Sequence, residues 1–313
     1  MTLRKLLFTI PVLVFLMSYV AAQKPFITLF AHGLGGDATQ GVYYSGFVGC
    51  PIIGIDGPEW GYYRSGPQQS CLAQDADIQA IQEEVEKNVQ NNIILLGVSK
   101  GAATMLNTIG WIACKAPHHL NSIKAVIVDS PFTNPESVAE HLVKHYLGSI
   151  GTSMRSTFNF LETKMYPNYD PQGITPFKTI TQQWQYVDRN MVVVFIHSQK
   201  DELISVNDSR LLYRELKKLQ FSNVYLIEAR AGSHGNVCWG PYKNEIFEKL
   251  CLIYMKHGLP LPTFYAKQYQ FRLQPECLDG ASLKLWLNDL QPSVEEINQR
   301  IQNSSGTCSC PIL

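Results

Sequence analysis

The chain has 313 residues, of which 45% are hydrophobic and 17% are charged, and its 26 basic and 26 acidic side chains give a formal net charge of zero. This composition is typical of a globular protein with one large domain or two small ones. The balanced charge gives no electrostatic preference for nucleic acid or for an anionic membrane surface. We expect no nucleic-acid partner, and membrane association is not indicated beyond the N-terminal segment.

The first 22 residues are predicted to be a secretory signal peptide. Arg4 and Lys5 precede an apolar run from Leu6 to Met17. Val20 and Ala22 fit the −3 and −1 positions of a signal-peptidase cleavage site before Gln23. Because the run is short for a membrane span, a cleaved leader is favoured over an uncleaved membrane anchor, which is the alternative. We therefore expect a secreted or otherwise extracytoplasmic protein.

The cysteines show neither a C-x-x-C pair nor a zinc-type spacing with histidine. In an exported protein the first expectation is that cysteines form disulfides, although their connectivity does not follow from one sequence. The eight cysteines are Cys50, Cys71, Cys114, Cys238, Cys251, Cys277, Cys308 and Cys310.

Six short apolar runs, rich in branched residues, follow the leader and are predicted to be buried strands. They cover residues 26–30, 52–55, 93–96, 125–128, 191–196 and 224–227. Continuous apolar runs are typical of parallel strands that are covered on both faces. Segments with helical periodicity lie between them, at 75–88, 102–113, 208–219 and 242–257. The alternation predicts an α/β fold with a mainly parallel central sheet and helices on both faces.

Two stretches depart from this alternation. Residues 134–184, between the fourth and fifth strands, are longer than one crossover helix needs, and we interpret them as an inserted helical cap. Residues 259–313 follow the last helix, are rich in Pro, Gln and Asn, and are predicted to be an extension that packs on the domain or is partly flexible. The predicted organisation is a signal peptide at 1–22, a domain at 23–258 that contains the cap, and this C-terminal extension.

Ser99 is the candidate nucleophile. It lies at the centre of Gly97-Val98-Ser99-Lys100-Gly101, which matches the pattern G-x-S-x-G. The pattern alone is weakly specific, but here a predicted strand ends on it and a predicted helix of small residues follows, which is the setting that the motif requires. Gly97 and Gly101 would remove side chains that clash at such a sharp turn. The simpler alternative is a serine that caps the helix.

The loop after the first strand, "AHGLGG", is the candidate oxyanion site. Gly33 lets the backbone approach a reacting carbonyl, so that the N–H of Leu34 can stabilise negative charge on its oxygen. The N–H of Lys100, directly after the candidate nucleophile, would be the second donor. His32 is expected to support the loop and not to act as a base.

A different interpretation of the same loop has to be considered. Residues 33–38 also fit the looser dinucleotide fingerprint G-x-G-x-x-G/A, and Asp56 ends the next strand, where a ribose-binding acid would lie. Against it, residues 37–47 contain two glycines and a Tyr-Tyr pair and are a poor helix to receive a pyrophosphate. It would also leave Ser99 unexplained.

The candidate acid is Asp201 and the candidate base is His234. Asp201 follows the fifth strand in a polar turn, at the carboxyl edge where α/β sheets carry their sites. Asp129, which ends the fourth strand, is the alternative acid. His234 lies in a glycine-flanked loop after the sixth strand, a position suited to a general base. The other histidines are less well placed: His118, His119, His141, His145, His197 and His257.

The order Ser99, Asp201, His234 is that of α/β hydrolases. The chain resembles this superfamily over about residues 24–257, and within it the branch of serine aminopeptidase-like, monoacylglycerol-lipase-like and acyl-protein-thioesterase-like proteins. The matching stretches are "FAHGLGG", "GYYRSG", "NNIILLGVSKGAA", "AVIVDSPFTN", "VVVFIHSQKDELIS" and "AGSHGN". The resemblance implies that the three residues act as nucleophile, acid and base.

The chain departs from the family pattern at two places. Asp56 and "GYYRSG" stand where relatives have a more regular acidic and glycine-containing run. Lys100 stands where the family often has a bulky neutral residue or glutamine. Its side chain could favour an anionic group of the substrate, but the expectation that we prefer is that it points into solvent.

We therefore expect an exported serine hydrolase that cleaves an ester, thioester or amide through an acyl-enzyme, most simply a carboxylic ester or an acyl thioester. The substrate would be a small molecule, a lipid, or an acylated protein or peptide, and no metal or organic cofactor is expected. The alternatives are a serine peptidase of the aminopeptidase type, a catalytically silent binding protein of the same fold and, least favoured, a dinucleotide-binding protein.

Overall fold

The computed structural model describes residues 24–57, 71–147, 166, 168–262 and 280–306. The predicted signal peptide, the stretch "GYYRSG" and the cysteines at 277, 308 and 310 lie outside these residues. Within the described ranges, no helix has the length and the apolar character needed to cross a membrane.

The described chain contains one six-stranded sheet in the order β2-β1-β3-β4-β5-β6, and every neighbouring pair is parallel. All six predicted strands are present. Their bounds are Phe26–Ala31 (β1), Ile52–Ile55 (β2), Asn92–Val98 (β3), Ile123–Asp129 (β4), Val192–Ser198 (β5) and Val224–Ala229 (β6). Since the strands are parallel, their carboxyl ends lie along one edge of the sheet, where the candidate serine, acid and base follow β3, β5 and β6.

Helices lie between and after the strands. The α-helices are Asp75–Lys87 (α1), Lys100–Lys115 (α2), Pro135–Leu147 (α3), Pro176–Gln182 (α4), Val206–Lys218 (α5), Lys243–His257 (α6), Gly280–Asp289 (α7) and Val294–Gly306 (α8). Short 3-10 helices cover Ala38–Gly46, Pro117–Ser122 and Trp184–Tyr186. The four helices predicted from periodicity correspond to α1, α2, α5 and α6.

The sheet separates two apolar clusters. Successive residues of β3 alternate between them, so that Ile93 and Leu95 pack with α1, α2, α4 and α5, whereas Ile94 and Leu96 pack with α6 and the 38–46 helix. Both faces of the sheet are therefore covered by apolar side chains, which explains why the strands are continuous apolar runs. The predicted α/β class, with a parallel sheet covered on both faces, is confirmed.

The stretch from 134 to 184 divides into two parts in the described residues. Helix α3 begins it and lies beside the carboxyl edge of the sheet, where Pro135 and Val138 line a cavity described below. Helix α4 and the short 3-10 helix after it pack on the core instead, with Ile180 and Trp184 fully buried against the α2 side of the sheet. Helix α4 serves as the crossover helix between β4 and β5.

The described part of the C-terminal extension packs on the domain. Ile297 of α8 is fully buried in the cluster that contains α5, and Leu287 and Leu290 are buried in the opposite cluster. The N–H of Leu226 in β6 donates to the carbonyl oxygen of Leu290 at 2.8 Å. Because β6 is an edge strand, this bond covers part of an otherwise unpaired edge.

The expected disulfides are not found among the described cysteines. Cys50, Cys114, Cys238 and Cys251 have free thiols, and Cys238 and Cys251 are buried. Burial raises the pKa of both buried thiols, so that they stay protonated and behave as small apolar side chains. The expectation of disulfides is therefore wrong for these four residues.

Candidate active site

Ser99 lies on a strained turn between β3 and α2. Its backbone has φ 54° and ψ −118°, a conformation that an L-residue adopts only when its surroundings impose it. A Cβ atom added to Gly97 would lie 2.5 Å from the carbonyl oxygen of Gly101, and one added to Gly101 would lie 2.2 Å from that of Ala31. Both glycines are thus required by close backbone packing, and the strand–turn–helix setting predicted for Ser99 is present.

His234 reaches Ser99 from the loop that follows β6. Its Nε2 lies 2.9 Å from Oγ of Ser99, within hydrogen-bond distance. The loop has left-handed glycines on both sides of the histidine, Gly232 with φ 130° and Gly235 with φ 62°. These conformations suit glycine and turn the chain back toward the elbow.

Asp201 lies on the other side of the imidazole. Its Oδ2 is 2.9 Å from Nδ1 of His234, and its Oδ1 accepts hydrogen bonds from the N–H groups of Leu203 and Ile204, each at 2.9 Å. If Nδ1 carries the proton that this carboxylate accepts, Nε2 is left to accept the proton of the Ser99 hydroxyl. The structure thus brings the three predicted residues into one hydrogen-bonded chain.

The same contacts shift the pKa values of the acid and the base. Burial acts to raise the pKa of Asp201, but hydrogen bonds and charge from His197 and His234 outweigh it and hold that pKa well below its usual range. Burial acts to lower the pKa of His234, and the hydrogen bond and charge of Asp201 outweigh it, so that the pKa of His234 is raised. Each shift favours the charged form of its group.

Asp129, the alternative acid, makes other contacts. Its fully buried carboxylate accepts hydrogen bonds from the hydroxyls of Ser130 at 2.9 Å and of Tyr44 at 3.2 Å. Burial raises its pKa. Its backbone carbonyl accepts the N–H of Ser99 at 2.8 Å, so the residue supports the elbow. Since Nδ1 of His234 is bonded to Asp201, the geometry favours Asp201 as the acid.

His197 is a part of the site that the sequence did not suggest. It is fully buried at the end of β5, with Nδ1 2.7 Å from Oγ of Ser209 and Nε2 3.0 Å from the carbonyl oxygen of Ile204. Nε2 also lies 3.4 Å from Oδ2 of Asp201. A histidine four residues before a candidate acid was the available signal, but His197 was weighed only as a base and was set aside as less well placed than His234.

The loop after β1 lies directly against the elbow. A Cβ atom at Gly33 would lie 3.3 Å from Cβ of Ser99. His32 is buried, its Nδ1 is 2.6 Å from the carbonyl oxygen of Gly33, and burial lowers its pKa. His32 therefore supports the loop, as expected. The neighbouring Leu34 lines the same cavity as Ser99 and Lys100, the arrangement that two oxyanion donors would need.

The geometry of this loop disfavours the dinucleotide interpretation. Residues Ala38–Gly46 form a 3-10 helix and not the α-helix whose N-terminus would receive a pyrophosphate. The carboxylate of Asp56 accepts the N–H of Ala38 at 2.8 Å, so it holds the loop itself.

The side chain of Lys100 does not point into solvent, and that expectation is wrong. Its Nζ lies 2.8 Å and 3.1 Å from the two carboxylate oxygens of Asp77 in α1, and both residues are buried. The apolar surroundings of the elbow leave the ammonium no route to water, and a carboxylate from another helix neutralises it. Nothing next to Lys100 in the sequence indicated this partner.

A cavity of about 430 Å³ opens beside the serine and the histidine. Apart from Ser99, Lys100, His234 and Tyr166, its walls are apolar residues from the loops and from α3. They are Leu34, Leu72, Phe132, Pro135, Val138, Ala139, Leu142, Leu203 and Ile204. The described part of the site thus has few polar groups in a largely apolar pocket.

The order of the strands, the elbow after β3, the acid after β5 and the base after β6 agree with the predicted α/β-hydrolase fold. No family model matches the chain, and no curated protein matches it. Several solved structures are similar in part. An esterase of Pyrococcus furiosus has 14% identity and a TM-score of 0.49, with 75% of this chain and 84% of that chain covered.

An acylaminoacyl peptidase of Pyrococcus horikoshii has 16% identity and a TM-score of 0.46, over 76% of this chain and 38% of that one. A monoacylglycerol lipase of Paleococcus ferrophilus has 17% identity and a TM-score of 0.45, over 74% of this chain and 95% of that one. At this level of similarity none of these structures bears on the activity, which has to be inferred from the site.

Proposed function

We propose that this protein is a serine hydrolase that cleaves carboxylic esters or acyl thioesters with an apolar acyl group. The observation that carries the proposal is the continuous path from Oγ of Ser99 through both nitrogens of His234 to Oδ2 of Asp201, with 2.9 Å at each step. A serine hydroxyl becomes a useful nucleophile when a positioned base removes its proton, and this path supplies the base and the group that orients it.

The reaction would begin when Oγ of Ser99 attacks the carbonyl carbon and its proton passes to Nε2 of His234. The carbonyl oxygen becomes an oxyanion, which the N–H groups of Leu34 and Lys100 would stabilise. Collapse of this intermediate breaks the bond to the leaving group, which receives the proton from His234. Water then attacks the acyl-enzyme and gives a proton to Nε2 of His234. Collapse of the second intermediate breaks the acyl bond to Oγ, which takes this proton, so that the free acid is released and Ser99 is regenerated.

The cavity supports an apolar acyl group over a charged one. Its described walls are almost wholly apolar, and Lys100, the lysine among the described lining residues, is already paired with Asp77. An ionised substrate group would lose its hydration there without gaining a partner, which is costly. A peptidase of the aminopeptidase type and a silent binding protein fit less well. The first needs a partner for a charged amino terminus, and the second has no use for a complete serine–histidine–aspartate path.

The test is the variant Ser99→Ala, which removes the nucleophile and little volume. We expect it to lose labelling by a fluorophosphonate probe and hydrolysis of p-nitrophenyl esters. Ser130→Ala is the matched control, because Ser130 also follows a strand with a positive φ of 53° but bonds to Asp129. Undiminished labelling of Ser99→Ala would overturn the proposal.

Export remains part of the proposal and is supported by the N-terminal sequence alone. Arg4 and Lys5 followed by the apolar run to Met17 are typical of a secretory leader. N-terminal sequencing of the protein recovered from a secreting host should find Gln23 as the first residue. Recovery of the chain inside the cell with the leader intact would contradict export.

A further inference from the structure

The ion pair between Lys100 and Asp77 is buried on both sides. Lys100 is 3% exposed and Asp77 is fully buried. Burying two charges costs several kcal/mol per ion, and an apolar pair of similar volume is often as stable. Its presence directly after the candidate nucleophile therefore calls for an explanation other than stability.

Asp77 also holds a turn that precedes its own helix. Its Oδ2 accepts the N–H of Ala73 at 2.9 Å. Leu72 and Ala73 have φ values of 47° and 74°, in the left-handed region that costs a residue with a side chain about 1–2 kcal/mol. Two such residues in succession persist only where neighbouring groups impose the conformation.

The turn has two further anchors. Nδ2 of the fully buried Asn107, in α2, donates to the carbonyl oxygen of Ala73 at 2.9 Å. Nε2 of Gln74 donates to the carbonyl oxygens of Asp170 and Ile174 at 2.8 Å and 3.1 Å. The peptide groups of Ala73 are thus held on one side by Asp77 and on the other by the helix that carries Lys100.

This turn forms part of the cavity wall. Leu72 lines the cavity together with Ser99 and Phe132. Lys100 therefore contributes twice: its backbone lies where a donor to the oxyanion is proposed, and its side chain holds the carboxylate that shapes the turn. The wall of the pocket and the nucleophile elbow are connected through one side chain.

We propose that Lys100 and Asp77 are a positioning pair that fixes Leu72 as a wall of the acyl pocket and so sets the preference for acyl chain length. The proposal rests on the proposed function and specifies its substrate: an ester or thioester of an apolar acyl chain, whose length is limited by a rigid turn. Without the pair, the strained turn relaxes, Leu72 leaves its position, and the pocket no longer discriminates between chain lengths.

The test compares kcat/KM for p-nitrophenyl acetate, butyrate, octanoate, laurate and palmitate. We expect the ratio between the preferred ester and the acetate to fall about tenfold in Asp77→Asn and in Lys100→Met. Leu72→Ala, which leaves the ion pair intact and removes the wall, should change the ratio in the same direction. An unchanged ratio in Asp77→Asn and Lys100→Met would overturn the proposal, whatever Leu72→Ala does.

The matched control is Glu228→Gln. Glu228 forms a buried ion pair with Arg210 at 2.7 Å, elsewhere in the domain, and its loss should leave the chain-length ratio unchanged. Equal changes in Glu228→Gln and Asp77→Asn would show a general loss of order and contradict the proposal. If Asp77→Asn does not fold, the double variant Asp77→Leu/Lys100→Met keeps the buried volume without charge and removes the acceptor of the Ala73 N–H.

A second measurement separates this proposal from the proposed function. In the Ser99→Ala background, fatty acids of the same lengths displace a fluorescent fatty acid, cis-parinaric acid, from the pocket. We expect the affinities of the fatty acids to differ with chain length, and we expect Asp77→Asn to reduce these differences, whether or not the wild type hydrolyses esters. If the wild type hydrolyses no ester but the fatty acids still rank by length, the proposed chemistry alone is rejected. If Asp77→Asn leaves this ranking by length unchanged, the positioning pair is rejected.

Discussion

Nε2 of His197 lies 3.4 Å from Oδ2 of Asp201, the carboxylate oxygen that is also 2.9 Å from Nδ1 of His234. One carboxylate oxygen therefore faces two imidazoles, one buried and one that contacts the serine. The hydrogen bond between the buried ring and this oxygen stabilises the carboxylate, and it weakens the effect of the carboxylate charge on His234.

Replacement of His197 should therefore change the pH profile as well as the rate. In His197→Phe the carboxylate loses one neighbour, and its charge acts more strongly on His234, so the pKa of His234 should rise further. We expect kcat to fall about tenfold and the acidic limb of the profile to move to higher pH. A profile that keeps its position, measured as kcat/KM against pH, would mean that His197 only fills space.

The wild-type profile should itself be displaced. His234 must be neutral to accept the serine proton, and Asp201 raises its pKa above the ordinary value of 6.5. Activity should therefore rise with pH through a midpoint above 6.5. In Asp201→Asn the raising interaction is lost, so the midpoint should fall, and kcat should drop on the order of 10⁴-fold as the imidazole loses its orientation.

The variant Asp129→Asn distinguishes the two candidate acids. It should keep most of the activity, because Asp129 does not bond to His234. The folded state raises the pKa of Asp129, so wild-type stability is lost as pH rises from the unfolded value through the folded one. The variant should therefore gain stability relative to wild type as pH rises over this range. Loss of probe labelling in Asp129→Asn together with intact labelling in Asp201→Asn would reverse the assignment.

The elbow should not accept a methyl group at Gly101. A Cβ atom there would lie 2.2 Å from the carbonyl oxygen of Ala31, and backbone on both sides prevents relief. We expect Gly101→Ala to lower the free energy of unfolding by about 3 kcal/mol or more, measured by urea denaturation. Gly35→Ala is the comparison, since its Cβ meets no atom within 4 Å and only its φ of 79° is unfavourable, at about 1–2 kcal/mol.

The C-terminal extension should contribute to the stability of the domain. Ile297 is fully buried, and Ile297→Ala should cost about 2–5 kcal/mol in the free energy of unfolding. Leu285→Ala, in the same extension at a side chain that is 71% exposed, should cost little. Equal midpoints of urea unfolding for the two variants would show that the extension does not share the core.

The strands and the three site residues could be predicted because their signals are local. A parallel strand buried on both faces must be apolar along its length, and a nucleophile elbow must place small residues around Ser99. Asp201 and His234 could be found because each follows its own strand, and strand order then brings them to one edge.

The contacts of Lys100 and His197 could not be predicted in the same way. The partner of Lys100 is Asp77, 23 positions earlier on another helix, and only the packing of α1 on α2 makes them neighbours. His197 comes close to Asp201 only because the turn after β5 folds back, which the residues around His197 do not indicate. The expectation of disulfides was wrong because it rested on the predicted export of the chain, and export does not indicate which cysteines come within bonding distance in the fold.

The bond between Leu226 and Leu290, and the burial of Ile297 beside α5, have a consequence for the order of events during synthesis. The last strand of the sheet and the loop that carries His234 are made before the residues that cover them. The part of the β6 edge that Leu290 covers thus stays open to other chains until residue 290 has been made and has packed there. The core is completed later still, when Ile297 is in place. A chain interrupted before Leu290 would contain Ser99, Asp201 and His234 and would leave the edge of β6 exposed to association.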